Sequence, residues 1–196
     1  MKKITILIFT ILLISSCSQK ELSFENLVER NDLTYEINNE NTFSGKAFSK
    51  YENLQFKEIG FFEDGKKVGV WEYFAENGQI LKKTSYDDNK LNGLYKEFEN
   101  DGKKIKTIEY KNNLKNGLSE EFNNEGLKIS SINYTRDTLD GFYKTFYFKE
   151  DKNVILEEGN YKMNKKNGLW AKNNDFYREE FNYLNGKLNG NHKIIR

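Results

Sequence analysis

Gly69-Val70-Trp71-Glu72-Tyr73-Phe74, Gly93-Leu94-Tyr95-Lys96-Glu97-Phe98, Gly117-Leu118-Ser119-Glu120-Glu121-Phe122 and Gly141-Phe142-Tyr143-Lys144-Thr145-Phe146 are four versions of one phrase. Each opens on Gly, continues with an apolar residue and closes on Phe five places later. The opening glycines stand 24 residues apart, and Gly45 lies one step earlier. Self-similarity at a fixed short period marks a repeat architecture, in which each unit completes its burial against its neighbours.

A second marker follows the first. Tyr86, Tyr110 and Tyr134 each come 17 residues after their Gly, and Phe62 takes that place after Gly45. Gly168 and Gly190 then follow at spacings of 27 and 22, with Tyr161 and Tyr183 at 20 and 15 residues after their glycines. The irregularity thus falls between the opening strand and the tyrosine, where a hairpin end belongs. Lys149–Asn153 is expected to be an enlarged loop and Asn173–Asp175 a shortened one, because surface loops tolerate length changes.

Turns must come from Gly, Asn and Asp, since the chain has 14 Gly and no Pro. Asn77-Gly78 and Asp101-Gly102 are dipeptides suited to two-residue hairpin turns. Asn92-Gly93, Asn116-Gly117, Asn167-Gly168 and Asn189-Gly190 are expected to join one unit to the next. Aromatic residues make up 15% of the chain, which suits half-buried strands. The expected fold is all-β: an elongated single-layer antiparallel β-meander of about six 24-residue β-hairpin repeats. About thirteen strands at roughly 4.8 Å would span on the order of 60 Å.

Alternation along a strand sorts the phrase onto two faces. Val70, Leu94, Leu118, Phe142 and Leu169 fall together with Phe74, Phe98, Phe122 and Phe146. Trp71, Tyr95, Ser119, Tyr143 and Trp170 form a row on the opposite face. Such a row stiffens a thin sheet, and it also offers the residue types that dominate protein contacts. Trp71, Tyr95, Tyr143 and Trp170 are therefore the candidate partner-binding face.

Residues 1–16 have the layout of an export signal: Lys2 and Lys3, then an apolar run from Ile4 to Ile14 too short to cross a bilayer. Ile14-Ser15-Ser16-Cys17 resembles the bacterial lipobox, which implies lipidation of Cys17, the only Cys in the chain. Residues 17–26 would be the lipidated Cys and a tether, and residues 27–196 the array. An exported, membrane-anchored lipoprotein follows, in the outer membrane where the envelope has one.

The chemistry-bearing residues are few. A single Cys precludes an internal disulfide, and the single His, His192, lies five residues from the C-terminus. Glu120-Glu121, Glu157-Glu158 and Glu179-Glu180 are adjacent in strands, so each pair points to opposite faces and cannot act as an acid/base couple. Asp87-Asp88-Asn89 lacks the spacing of a calcium loop. The expectation is no enzyme, no cofactor and no metal. With the export segment removed, 29 basic residues face 30 acidic ones, which provides no footprint for nucleic acid.

The phrase Gly-x-Trp/Tyr-x-x-Phe, an Asn-Gly or Asp-Gly turn and a strand ending in Tyr resemble the MORN-repeat variant family. The opening Leu27-Val28-Glu29-Arg30 to Tyr35, with Thr42-Phe43-Ser44-Gly45, is similar to bacterial lipoproteins of that family. The resemblance covers about residues 27 to 190 and departs at Ser119 and Asn173. It implies a non-catalytic, lipid-anchored scaffold for protein–protein interaction in the bacterial envelope. Relatives are often labelled YwqK-type antitoxins, so toxin binding is an alternative. Binding of membrane lipid by the repeats is a third reading.

Overall fold

A computed structural model describes residues 20–150 and 152–196. The export segment and Cys17 lie outside the described residues. Fourteen strands follow one another across a sheet and the last strand of the chain attaches beside one of them, giving fifteen in all. They are β1 (Glu21–Ser23), β4 (Gly45–Lys50), β5 (Phe56–Glu63), β6 (Lys66–Phe74), β7 (Ile80–Asp87), β8 (Lys90–Phe98) and β9 (Lys104–Lys111), then β10 (Leu114–Phe122), β11 (Lys128–Thr135), β12 (Thr138–Lys149), β13 (Lys152–Lys162), β14 (Lys165–Asn173), β15 (Arg178–Leu184), β16 (Lys187–Leu188) and β17 (Lys193–Ile195). From β4 to β16 each strand pairs antiparallel with the next in sequence, so the expected open meander is present.

The register explains the 24-residue period. Each opening Gly lies opposite the marker ring of its own unit: Gly45 faces Phe62, Gly69 faces Tyr86, Gly93 faces Tyr110 and Gly117 faces Tyr134. Gly141 faces Tyr161 and Gly168 faces Tyr183, so the two irregular units keep the same pairing.

The turns lie elsewhere than the Asn-Gly dipeptides suggest. Asn92-Gly93, Asn116-Gly117 and Asn167-Gly168 are inside β8, β10 and β14. There the glycines sit in bulges in which three residues face one: Ser85 lies against Asn92–Leu94 between the pairs Thr84–Tyr95 and Tyr86–Leu91. Gly93 has a φ of +108°, and a Cβ on it would come within 3.0 Å of the Ser85 Cβ. Both facts demand glycine in the strand. Asn189-Gly190 lies between β16 and β17.

Consecutive units are joined instead by two-residue turns at Asp64-Gly65, Asp88-Asn89, Asn112-Asn113, Arg136-Asp137, Met163-Asn164 and Asn185-Gly186, all in the left-handed region. Asn77-Gly78 and Asp101-Gly102 belong to longer loops, residues 75–79 and 99–103. In the first, the Gly78 amide donates to Ala75 and the Asn77 carboxamide accepts from the Gln79 amide. Lys149–Asn153 is not an enlarged loop either. The extra residues lengthen the strands, with Phe148 opposite Asn153 and Lys149 opposite Lys152. The loop after β14 is shortened as expected, to residues 174–177.

Residues 21–26 are part of the folded body rather than a tether. β1 pairs in parallel with β4, and a short 3-10 turn at Phe24–Asn26 follows. A separate hairpin, β2 (Leu27–Arg30) and β3 (Leu33–Glu36), then packs on one face of the sheet. Phe24 and Leu27 close over Phe43, Ala47, Phe62 and Trp71, the core cluster of the molecule. The expected single layer is therefore doubled at its N-terminal end.

Candidate functional site

A continuous row of cross-strand partners runs across the capped side of the sheet, called here the ring face. Ala47 lies opposite Gly60; Trp71, Thr84, Tyr95, Ile108, Ser119, Ile132 and Tyr143 follow strand by strand to Gly159; and Trp170 lies opposite Phe181. The marker rings sit two residues along on the same face. Trp71 meets Tyr86 edge-on at 5.8 Å, Tyr95 meets Tyr110 at 6.2 Å and Tyr143 meets Tyr161 at 5.5 Å. Edge-to-face pairs of this kind add stabilisation beyond their buried area.

Trp71 and Trp170 are each only 1% exposed, so their side chains offer no surface to a partner. This corrects the sequence expectation for both residues. Trp71 is covered by the N-terminal hairpin, with Phe24 at 5.7 Å and Phe62 at 5.2 Å. Trp170 is enclosed by Tyr143, Tyr161 and Tyr183. Both indole N–H groups donate to backbone carbonyls, of Phe61 at 3.3 Å and Asn160 at 2.9 Å. Tyr95 and Tyr143 are half-buried. The Tyr95 hydroxyl donates to Glu97 at 2.9 Å, and burial with that carboxylate pushes its phenol up to about 12.

Lysines stack on the rings rather than standing free. Lys67 lies 4.1 Å above Trp71, Lys115 5.0 Å above Tyr134 and Lys166 3.9 Å above Trp170. Burial lowers the Lys67 ammonium below its ordinary value, against the opposing pull of Glu58 and Glu29. Beside it a polar cleft of about 600 Å³ opens between the N-terminal hairpin and the turns, lined by Glu29, Asp32, Lys67, Tyr86, Asp88 and Lys90 among others.

The other singled-out groups have ordinary partners. Glu157 pairs with Lys166 and its neighbour Glu158 with Lys144 and Arg178, in keeping with side chains on opposite faces. Asp88 pairs with Lys66. The His192 ring stacks on Phe181 at 4.5 Å, with Nε2 3.8 Å from Glu179. Among the described residues, no group of three or more His, Cys, Asp or Glu gathers as a metal ion would need.

The opposite, bare face carries what sequence reasoning left unused. Val70, Leu94, Phe142 and Leu169 are 48%, 42%, 39% and 57% exposed, apolar side chains in solvent on alternate strands with Ser85, Glu109, Asn133 and Asn160 between them. Next to them runs the row Glu72, Lys83, Lys96, Thr107, Glu120, Ser131 and Lys144, one residue per strand. The signal was present in the repeat itself: the third residue after each Gly reads Glu, Lys, Glu, Lys. In sequence comparisons no protein-family model matches the chain, and no curated protein matches it.

Proposed function

We propose that this chain is a non-catalytic, lipid-anchored repeat scaffold that mediates protein–protein interaction in the bacterial envelope. The observation that carries the reading is the bare face, where Val70, Leu94, Phe142 and Leu169 keep apolar side chains in water at regular intervals across an open sheet. Apolar surface left in water is a mark of contact sites. Support for the anchor comes from Ile14-Ser15-Ser16-Cys17, and support for a MORN-type array from the repeated phrase and its marker tyrosines.

The contact surface proposed here differs from the ring row. Tyr95 and Tyr143 are half-buried, while Val70, Leu94, Phe142 and Leu169 on the bare face are exposed. Covalent cross-linking in intact cells, followed by recovery of the tagged, lipidated protein, tests the reading. A defined protein partner is expected, and Leu94→Arg should remove it. Recovery of the chain without any protein partner, from cells in which cross-linking is demonstrably efficient, would overturn it.

A further inference from the structure

We infer that the partner seated on the bare face is a second copy of this chain, packed face to face about a two-fold axis that runs along β9. The inference rests on the reading of the bare face as a protein contact surface and names its occupant. It starts from the charge row. Across seven strands, β6 to β12, the bare face reads Glu72, Lys83, Lys96, Thr107, Glu120, Ser131 and Lys144.

Reversing that row about its centre sets Glu72 over Lys144 of the second copy, Lys83 over its Ser131 and Lys96 over its Glu120. No like charges meet among these pairs, because Glu and Lys alternate from unit to unit and four units make an even number. The apolar row reverses equally well: Val70 meets Phe142 of the second copy and Leu94 meets its Leu118. A two-fold contact must be self-complementary in this sense, with residue i against j and j against i.

Lys96 makes no ion pair within the array among the described residues, whereas Glu72 is already held by Lys83 and Glu120 by Lys128. The residues that meet their own copies on the axis are Lys104, Thr107, Glu109 and, at the end of the strand, Lys111. The Glu109 carboxylate is turned back to the Leu118 amide at 3.3 Å, and Lys104 lies over the Phe122 ring at 4.9 Å. Neither of these two charges points straight out at its copy, and Lys111 stands exposed at the rim of the contact, where solvent screens it.

The size is sufficient. Six strand intervals by eight residues cover roughly 29 Å by 26 Å, about 750 Å² per copy, close to the ~800 Å² per partner of a standard interface. Sheets packed face to face stand about 10 Å apart. The ring face cannot serve, because the hairpin β2–β3 stands on it.

The test uses the full chain, produced in two differently tagged forms in the same cells and extracted in mild detergent. Capture of one tag should recover the other, and density-matched sedimentation of the purified chain should give the mass of two chains. Lys96→Glu should cut co-recovery at least tenfold, and Lys96→Glu with Glu120→Lys should restore it. Circular dichroism on each variant checks that the fold persists. A single-chain mass for the unaltered protein, or co-recovery indifferent to Lys96→Glu, would overturn the inference. If a different protein is captured and lost with Lys96→Glu, the second copy is wrong and the scaffold reading stands. If neither a copy nor another protein is captured, both fall.

Discussion

At the residue scale, the ring row is a series of size exchanges between facing positions. Toward the preceding strand, each Trp meets a Gly: a Cβ on Gly60 would stand 2.2 Å from the Trp71 ring, and one on Gly159 would stand 2.3 Å from Trp170. On the same side, Tyr95 and Tyr143 meet Thr84 and Ile132. Ser119, the departure from the aromatic pattern, lies between Ile108 and Ile132. Interiors tolerate exchanges that conserve volume and resist those that add it. Gly159→Thr should therefore cost about 1–3 kcal/mol, and adding Trp170→Tyr should recover much of that by reproducing the Thr84–Tyr95 pairing. Chemical denaturation of the two variants measures both effects, and equal midpoints would refute the coupling. Which residues share the ring face was legible from alternation alone. That Trp71 is buried was not, because Phe24 and Leu27, which close over it, come from a segment without the repeat.

At the element scale, the unit joints are tied by hooks that repeat with the phrase. The Asn113 carboxamide oxygen accepts from the Leu91 amide at 2.7 Å, while the Asn113 amide donates to the Leu91 carbonyl at 2.9 Å. Asn89 does the same to Lys67, Asp137 to Lys115 and Asn164 to Leu139. Each hook sits at the second, left-handed residue of a two-residue turn, a conformation that Asn and Asp tolerate better than other side chains. Asn113→Gly keeps the turn and removes the side-chain bond, so it should destabilise by about 1 kcal/mol and speed hydrogen exchange at the Leu91 amide. Unchanged protection there would show that the hook contributes nothing. The hooks also explain why the turns were misplaced in the sequence. The strongest hairpin signal is Asn-Gly, yet here those dipeptides make bulges. The joints are formed by pairs as unpromising as Arg136-Asp137 and Met163-Asn164. Once each turn bonds to the strand that opens from the preceding joint, tertiary contact overrides local preference.

At the scale of the whole molecule, the phenols of the array act together. Burial raises Tyr73, Tyr95, Tyr110, Tyr134, Tyr143 and Tyr161 above the ordinary phenol value, with Tyr95 at about 12. A phenol whose folded pKa is raised favours the folded chain while it is protonated in both states. That stability is fully present below the unfolded value near 10 and is lost as pH rises through the folded values. Stability should thus be flat to about pH 10 and fall steeply towards pH 12, with phenolate absorbance rising together with unfolding. Titration of the phenols at their ordinary value in a folded chain would contradict it. The repeat, the open meander and the place of Phe62 were all readable from spacing, because each depends on neighbours alone. The N-terminal cap was not, since nothing periodic announces it. One consequence of the meander concerns force. Its strands lie across the length of the sheet, so tension between the two ends peels hydrogen bonds a few at a time instead of shearing a whole strand. Each 24-residue unit drawn out would release roughly 80 Å of extended chain at about 3.4 Å per residue. Such an array lengthens stepwise under modest load, as a zip fastener does.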